Sequence, residues 1–180
     1  VVIYIDANGT YTETEARTIF PHVAEYNVCF IEEPCDFPDP ARQAAMAIAL
    51  PAAMLGDQCC ENLAAVNLHL HMQSIGAVSI KMRRTGFTES LKIAALCEGA
   101  GIPALLGTDS ESRLAAMARI HFRAAIPGLE PWPTETHFFD KLADDVFAGD
   151  FNFSDGALTP NETPGFGAQI DETKLAAYAF

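Results

Sequence analysis

Short apolar runs alternate with helix-like stretches along most of this chain, and four of those runs end on an ionisable residue. No other feature constrains the fold as strongly. Strands separated by helical segments lie parallel in one sheet, because a parallel connection needs a crossover of a dozen or more residues. The strands read as Val1 to Ile5, Val28 to Ile31, Ala53 to Leu55, Ala77 to Ile80 and Ile102 to Leu106, with a last one near Pro133 to Thr136. Helices are predicted from Thr12, where Thr12 and Glu15 make a capping box. Others follow over Ala41 to Ala49, Asn62 to Gln73, Thr88 to Gly99 and Glu111 to Ala125. From Asp150 onward Gly156, Pro160, Pro164, Gly165 and Gly167 break the chain into short extended pieces, and only Glu172 to Tyr178 reads as helix. That tail is expected to lie across the βα body as a cap.

Asp6, Glu32, Asp57 and Lys81 each follow a predicted strand, at separations of 26, 25 and 24 residues. One βα unit per interval places all four on the C-terminal edge of a parallel sheet, the edge on which a barrel builds its active site. Three carboxylates converging there repel one another unless a cation neutralises them, and hard oxygen donors suit Mg2+ or Mn2+. The positive charge and partial burial are expected to lower the pKa of the neighbouring lysine, making it a usable general base. Singly, each residue has a plainer reading. Asp6 before Asn8-Gly9 is a turn residue, Glu32 opens a solvated loop, Asp57 caps a helix and Lys81 is a surface charge. Together, the near-equal spacing favours a site.

Charge and cysteine usage narrow the class further. Acidic residues outnumber basic ones, 24 to 11, and a net charge of −13 repels a phosphate backbone, so no nucleic-acid partner is expected. No apolar run reaches the roughly 18 to 20 residues that span a bilayer, so no membrane partner is expected either. The five cysteines are odd in number, Cys59 and Cys60 are adjacent, and no CxxC occurs, which points to a reducing cytoplasm. His69 and His71 stand two apart on a predicted helix and face different sides, so they read as surface or boundary residues. Arg83-Arg84 reads as a solvated pair, or as a partner for a second substrate anion.

The motifs Asp6-Ala7-Asn8-Gly9, Ile31-Glu32-Glu33-Pro34 and Ser79-Ile80-Lys81, followed by Gly86, resemble the muconate-lactonizing branch of the enolase superfamily. Gly107 to Ala125 resembles its seventh βα unit, and Asp155-Gly156, Pro164 to Gly167 and Asp171 resemble its closing segment. The resemblance implies an incomplete (β/α)8 TIM-type barrel, α/β in class, holding about strands 3 to 8. Residues 1–149 would carry the metal site and residues 150–180 the capping tail. It also implies that Asp6, Glu32 and Asp57 bind Mg2+ and that Lys81 is one acid/base. Asn8, Gln58 and Glu135 would support the ligands or orient a small carboxylate substrate. The implied chemistry is removal or delivery of the proton α to that carboxylate through a metal-stabilised enolate, in cycloisomerisation, racemisation, epimerisation or dehydration. A homo-oligomer is the family's common state.

Three departures qualify this. Gln58 stands where the family has a second acidic residue, and Gly86-Phe87 replaces a glycine pair. The Lys-x-Lys motif expected on the second barrel strand, the first two strands and the N-terminal capping domain all lie outside this sequence, which carries no initiator Met. The alternative reading is therefore a non-catalytic fragment, or a metal-binding relic lacking the second base and lid.

Overall fold

The computed structural model describes residues 2–129 and 131–179; Val1, where the first strand was predicted to begin, lies outside them. Five strands form one parallel sheet in sequence order: β1 (Ile3–Asp6), β2 (Val28–Glu32), β3 (Ala53–Gly56), β4 (Ala77–Ile80) and β5 (Ala104–Leu106). Helices α1 (Glu13–Ile19), α2 (Pro40–Ala47), α3 (Leu63–His71) and α4 (Met82–Ala100) make the crossovers, and α5 (Arg113–Ala125) follows β5. Caps set the helix starts. Thr12 and Glu15 form the predicted box, Asp39 accepts from the Arg42 amide, and Asn62 accepts from the Ala65 amide. α4 departs from helical geometry at Gly86, whose φ of +61° a side chain disfavours.

From β2 to β5 both faces of the sheet are largely buried, as their short, almost wholly apolar strands require, while the edge strand β1 is only partly covered. Pleating sends Ile31, Met54, Val78, Ile80 and Leu106 toward the helices. Phe30, Leu55, Ala77 and Leu105 point to the opposite, concave face, where Trp132 and Tyr4 join them. The strand predicted at Pro133 to Thr136 is reduced to one parallel bridge, between Thr134 and Leu106, plus an amide bond from Glu135 to the Leu106 carbonyl. Pro131 and Pro133 supply no N–H for a longer ladder.

After α5 the chain forms two short antiparallel pairs, β6 (Phe147–Ala148) with β9 (Gln169–Ile170) and β7 (Asn152–Ser154) with β8 (Ala157–Thr159). The hairpin between β7 and β8 turns on Asp155 and Gly156, both at positive φ, the geometry a two-residue turn of this kind needs. Leu158 and Ala168 of the tail, with Phe147 just before it, pack on α5 against Met117 and Ile120. The tail's last helix, α6 (Glu172–Tyr178), is tied to Asp144 through Lys174 and Tyr178. Among the described residues no helix is long and apolar enough to cross a membrane.

Candidate active site

Sheet register brings the predicted residues to one edge. Asp6 and Glu32 are direct cross-strand partners at the ends of β1 and β2. Asp57 follows β3 at the head of a 3-10 turn, Gln58–Cys60, and Lys81 follows β4 at the head of α4. Glu32 and Asp57 are buried, Lys81 is half-buried and Asp6 is exposed. Asn8 binds back to Asp6, its amide to Oδ1 and its Nδ2 to Oδ2, both at 2.9 Å, which fixes that carboxylate's orientation. Gln58 is exposed beside Asp57 and lines a cavity with Asn8, Lys81 and Arg84.

Asp57 is the hub of the ion pairs. Lys81 Nζ donates to its Oδ2 at 2.6 Å, and Arg84 pairs with its Oδ1 while donating to its carbonyl at 2.9 Å. Asp109 closes the network, 3.2 Å from Lys81 Nζ, 3.3 Å from Arg83 Nε and 3.7 Å from Arg84 Nε. Arg84 is thus a member of the site and not the solvated residue expected from the sequence; Arg83, two-thirds exposed, fits that expectation better. Asp109 was missed, although it stands three residues past β5 and 28 past Lys81, where the same spacing argument points.

The charge states differ from expectation at Lys81. Burial alone depresses its pKa, but the hydrogen bond and charge of Asp57, with those of Asp109, outweigh it and hold the ammonium above its ordinary value. The expected lowering rests on a bound cation's charge beside the lysine, whereas the protein's own carboxylates act in the opposite direction. Glu32 is raised as well, which for a carboxyl favours the neutral form: burial first, then the charges of Asp6 and Asp57, push it up to about 9. Among the described residues no three His, Cys, Asp or Glu side chains close into a group that could hold an ion. The Asp57 carboxylate is turned to Lys81 and Arg84.

Two glutamates act as braces. Glu33 Oε1 accepts the amides of Asp57 and Cys59, at 2.9 and 2.7 Å, so it sets the backbone that carries Asp57. Its own φ of +32° is strained for a side-chain-bearing residue, and its main chain is held by Gly9 and Leu55. Glu135 accepts from the Tyr4 hydroxyl at 2.6 Å and the Thr108 amide at 2.9 Å, at the inner edge of the concave face. Gly107 clears the path of the lysine: a Cβ there would overlap Ser79 Oγ and come within 3.0 Å of Lys81 Cε.

The family described as enolase C-terminal domain-like matches residues 1–174. The chain belongs to that family. Among curated relatives of this enolase C-terminal domain-like chain, muconate cycloisomerase 1-1 of Acinetobacter lwoffii is 24% identical over 180 residues, 98% of this chain and 46% of that protein. The L-Lys-D/L-Arg epimerase of Methylococcus capsulatus is 30% identical over 172 residues, 92% of this chain and 47% of that protein. In fold, muconate cycloisomerase from Pseudomonas fluorescens superposes with a TM-score of 0.89 at 24% identity, over 98% of this chain and 49% of that one. The chain therefore spans about half the length of the relatives it matches.

Proposed function

We propose that this chain carries the metal-binding edge and one acid/base group of an enzyme that moves the proton α to a substrate carboxylate. The observation that carries the reading is the convergence of Asp6, Glu32, Asp57 and Lys81 on one sheet edge, with Lys81 Nζ 2.6 Å from Asp57. It is supported by the cycloisomerase and epimerase relatives.

The three carboxylates are not closed around one point while Asp57 is turned to Lys81 and Arg84, but as hard oxygen donors on one edge their chemistry suits a divalent cation. A buried Glu32 beside two carboxylates is poorly stable as an anion by itself, as its raised pKa records, and a divalent charge offsets that repulsion. Asp6, Glu32 and Asp57 would hold Mg2+ or Mn2+. Bound there, the ion supplies positive charge to the substrate carboxylate as its α-proton leaves. Lys81 takes or returns that proton through Nζ. It gives the proton up more readily when Asp57 is engaged elsewhere, because the Asp57 hydrogen bond is what most strongly holds it. Asn8 orients Asp6, Gln58 and Glu135 orient substrate, and Arg84 and Asp109 hold Asp57 and Lys81 in place. Residues 1–149 form the barrel portion bearing this edge, and residues 150–180 its closing tail.

The test is solvent exchange. The protein is offered a panel of α-substituted carboxylates with Mg2+ in D2O, and loss of the α-proton signal is followed by NMR. Exchange on at least one member, abolished by EDTA and restored by Mg2+, is the expected result. Absence of exchange on every member, together with absence of Mg2+ binding, would overturn the proposal.

A further inference from the structure

The 3-10 turn after Asp57 carries two adjacent thiols that the proposed chemistry does not use. Cys59 and Cys60 are both free, and their Sγ atoms lie 3.7 Å apart. Both sulfurs face the same bare point of the sheet. A Cβ on Gly56 would come within 2.7 Å of Cys60 Sγ and 3.1 Å of Cys59 Sγ. The pair is therefore held convergent by its surroundings and not splayed, as adjacent side chains on an extended chain are. Cys59 is half-buried and lines a cavity of about 400 Å³ with Asn8, Glu33, Cys35, Gln43 and Gln58, while Cys60 is buried directly behind it, so a ligand meets Cys59 first. Gln43 Nε2 donates to Cys59 Sγ at 3.4 Å, further fixing that thiol.

Trivalent arsenic is pyramidal, so two sulfurs at about 2.3 Å from it stand roughly 3.4 Å apart, and the Cys59–Cys60 pair at 3.7 Å has to close by only a few tenths of an ångström. What the pair lacks is further protein donors. Among the described residues no third His, Cys, Asp or Glu joins it in a group able to hold a bare metal ion. A ligand suited to this site is thiophilic, needs only two sulfurs and brings its own third substituent.

We propose that Cys59 and Cys60 form a dithiol site for monosubstituted trivalent arsenicals, RAs(OH)2, entered from the cavity beside Gln58. In the capture step two As–O bonds break and two As–S bonds form. Each thiol proton leaves with a hydroxide as water, and arsenic remains trivalent, so no oxidant or reductant is consumed. Capture draws on the turn whose Cys59 amide shares Glu33 Oε1 with the amide of Asp57.

The probe is phenylarsine oxide, added to the reduced protein and scored by intact mass, by thiol titration and by peptide mapping. The expected result is one phenylarsenic group per chain, a loss of two titratable thiols, and an adduct on the peptide holding Cys59 and Cys60. Excess 2,3-dimercaptopropanol should remove it, and excess 2-mercaptoethanol should not. Cys59→Ala should weaken binding roughly 100-fold, the gain expected from linking two contacts, whereas Cys35→Ala should leave it intact. Mapping on the unsubstituted protein decides the matter even if Cys60→Ala fails to fold. An adduct on another peptide, one retained in Cys59→Ala, or none surviving the monothiol would overturn the proposal.

Discussion

Glu32 and Glu33 are adjacent, yet their carboxylates do different work. Glu32 sits buried between Asp6 and Asp57, whereas Glu33 acts through the amides of Asp57 and Cys59. In titrations with Mg2+ or Mn2+, Glu32→Gln should weaken binding more than Glu33→Gln; equal effects would mean the wrong glutamate has been assigned. Gly107 makes a second residue-scale prediction. In Gly107→Ala the added methyl meets Ser79 Oγ and crowds the Lys81 stem. Overpacking of this kind costs about 1–3 kcal/mol. α-Proton exchange should fall while metal affinity holds, and Ser79→Gly in the same chain should restore part of it. Loss of metal binding in parallel with exchange would point to general collapse.

At the scale of elements, helix ends decide more than helix interiors. Thr12 closes a capping box with Glu15, so Thr12→Ala should lower stability to denaturant by about 1 kcal/mol without changing exchange. The end of α3 carries a buried switch. His69 Nδ1 lies 2.8 Å from Ser74 Oγ, and burial holds its pKa below the ordinary value. The unfolded chain therefore takes up that proton first. This contribution to stability is complete above the unfolded pKa of about 6.5 and is lost as pH falls from there toward the folded value. His69→Gln should flatten the fall of Tm across that window relative to the unsubstituted protein. An unchanged slope would contradict it. Spacing alone could not separate buried His69 from exposed His71, because a helix of weak amphipathicity does not declare its inner face.

Across the whole molecule, the βα repeat was legible because strands buried on both faces must be short and apolar, and each of the first five was found near its predicted place. The strand-end residues were legible for the same reason: Asp6, Glu32, Asp57 and Lys81 begin where apolar burial stops. What escaped belongs to longer range. Arg84 looked like half of a solvated pair because its partners, Asp57 and Asp109, are 27 and 25 residues away and meet it only across the sheet edge. Lys81 was expected to be depressed by a bound cation and by burial; which carboxylates surround it depends on side-chain packing, which adds Asp109 and turns Asp57 toward it. The strand near Pro133 faded because two prolines remove the donors that an apolar pattern cannot report.

In the proposed reaction Lys81 moves the α-proton on an edge whose carboxylates bind a divalent ion independently of it. The measurement that bears on this most directly is the α-exchange rate of Lys81→Ala in D2O, taken beside its Mn2+ affinity. Metal binding should be retained and exchange reduced about 100-fold or more, the usual scale for losing a positioned base. Exchange at the unsubstituted rate, with the metal still bound, would contradict it.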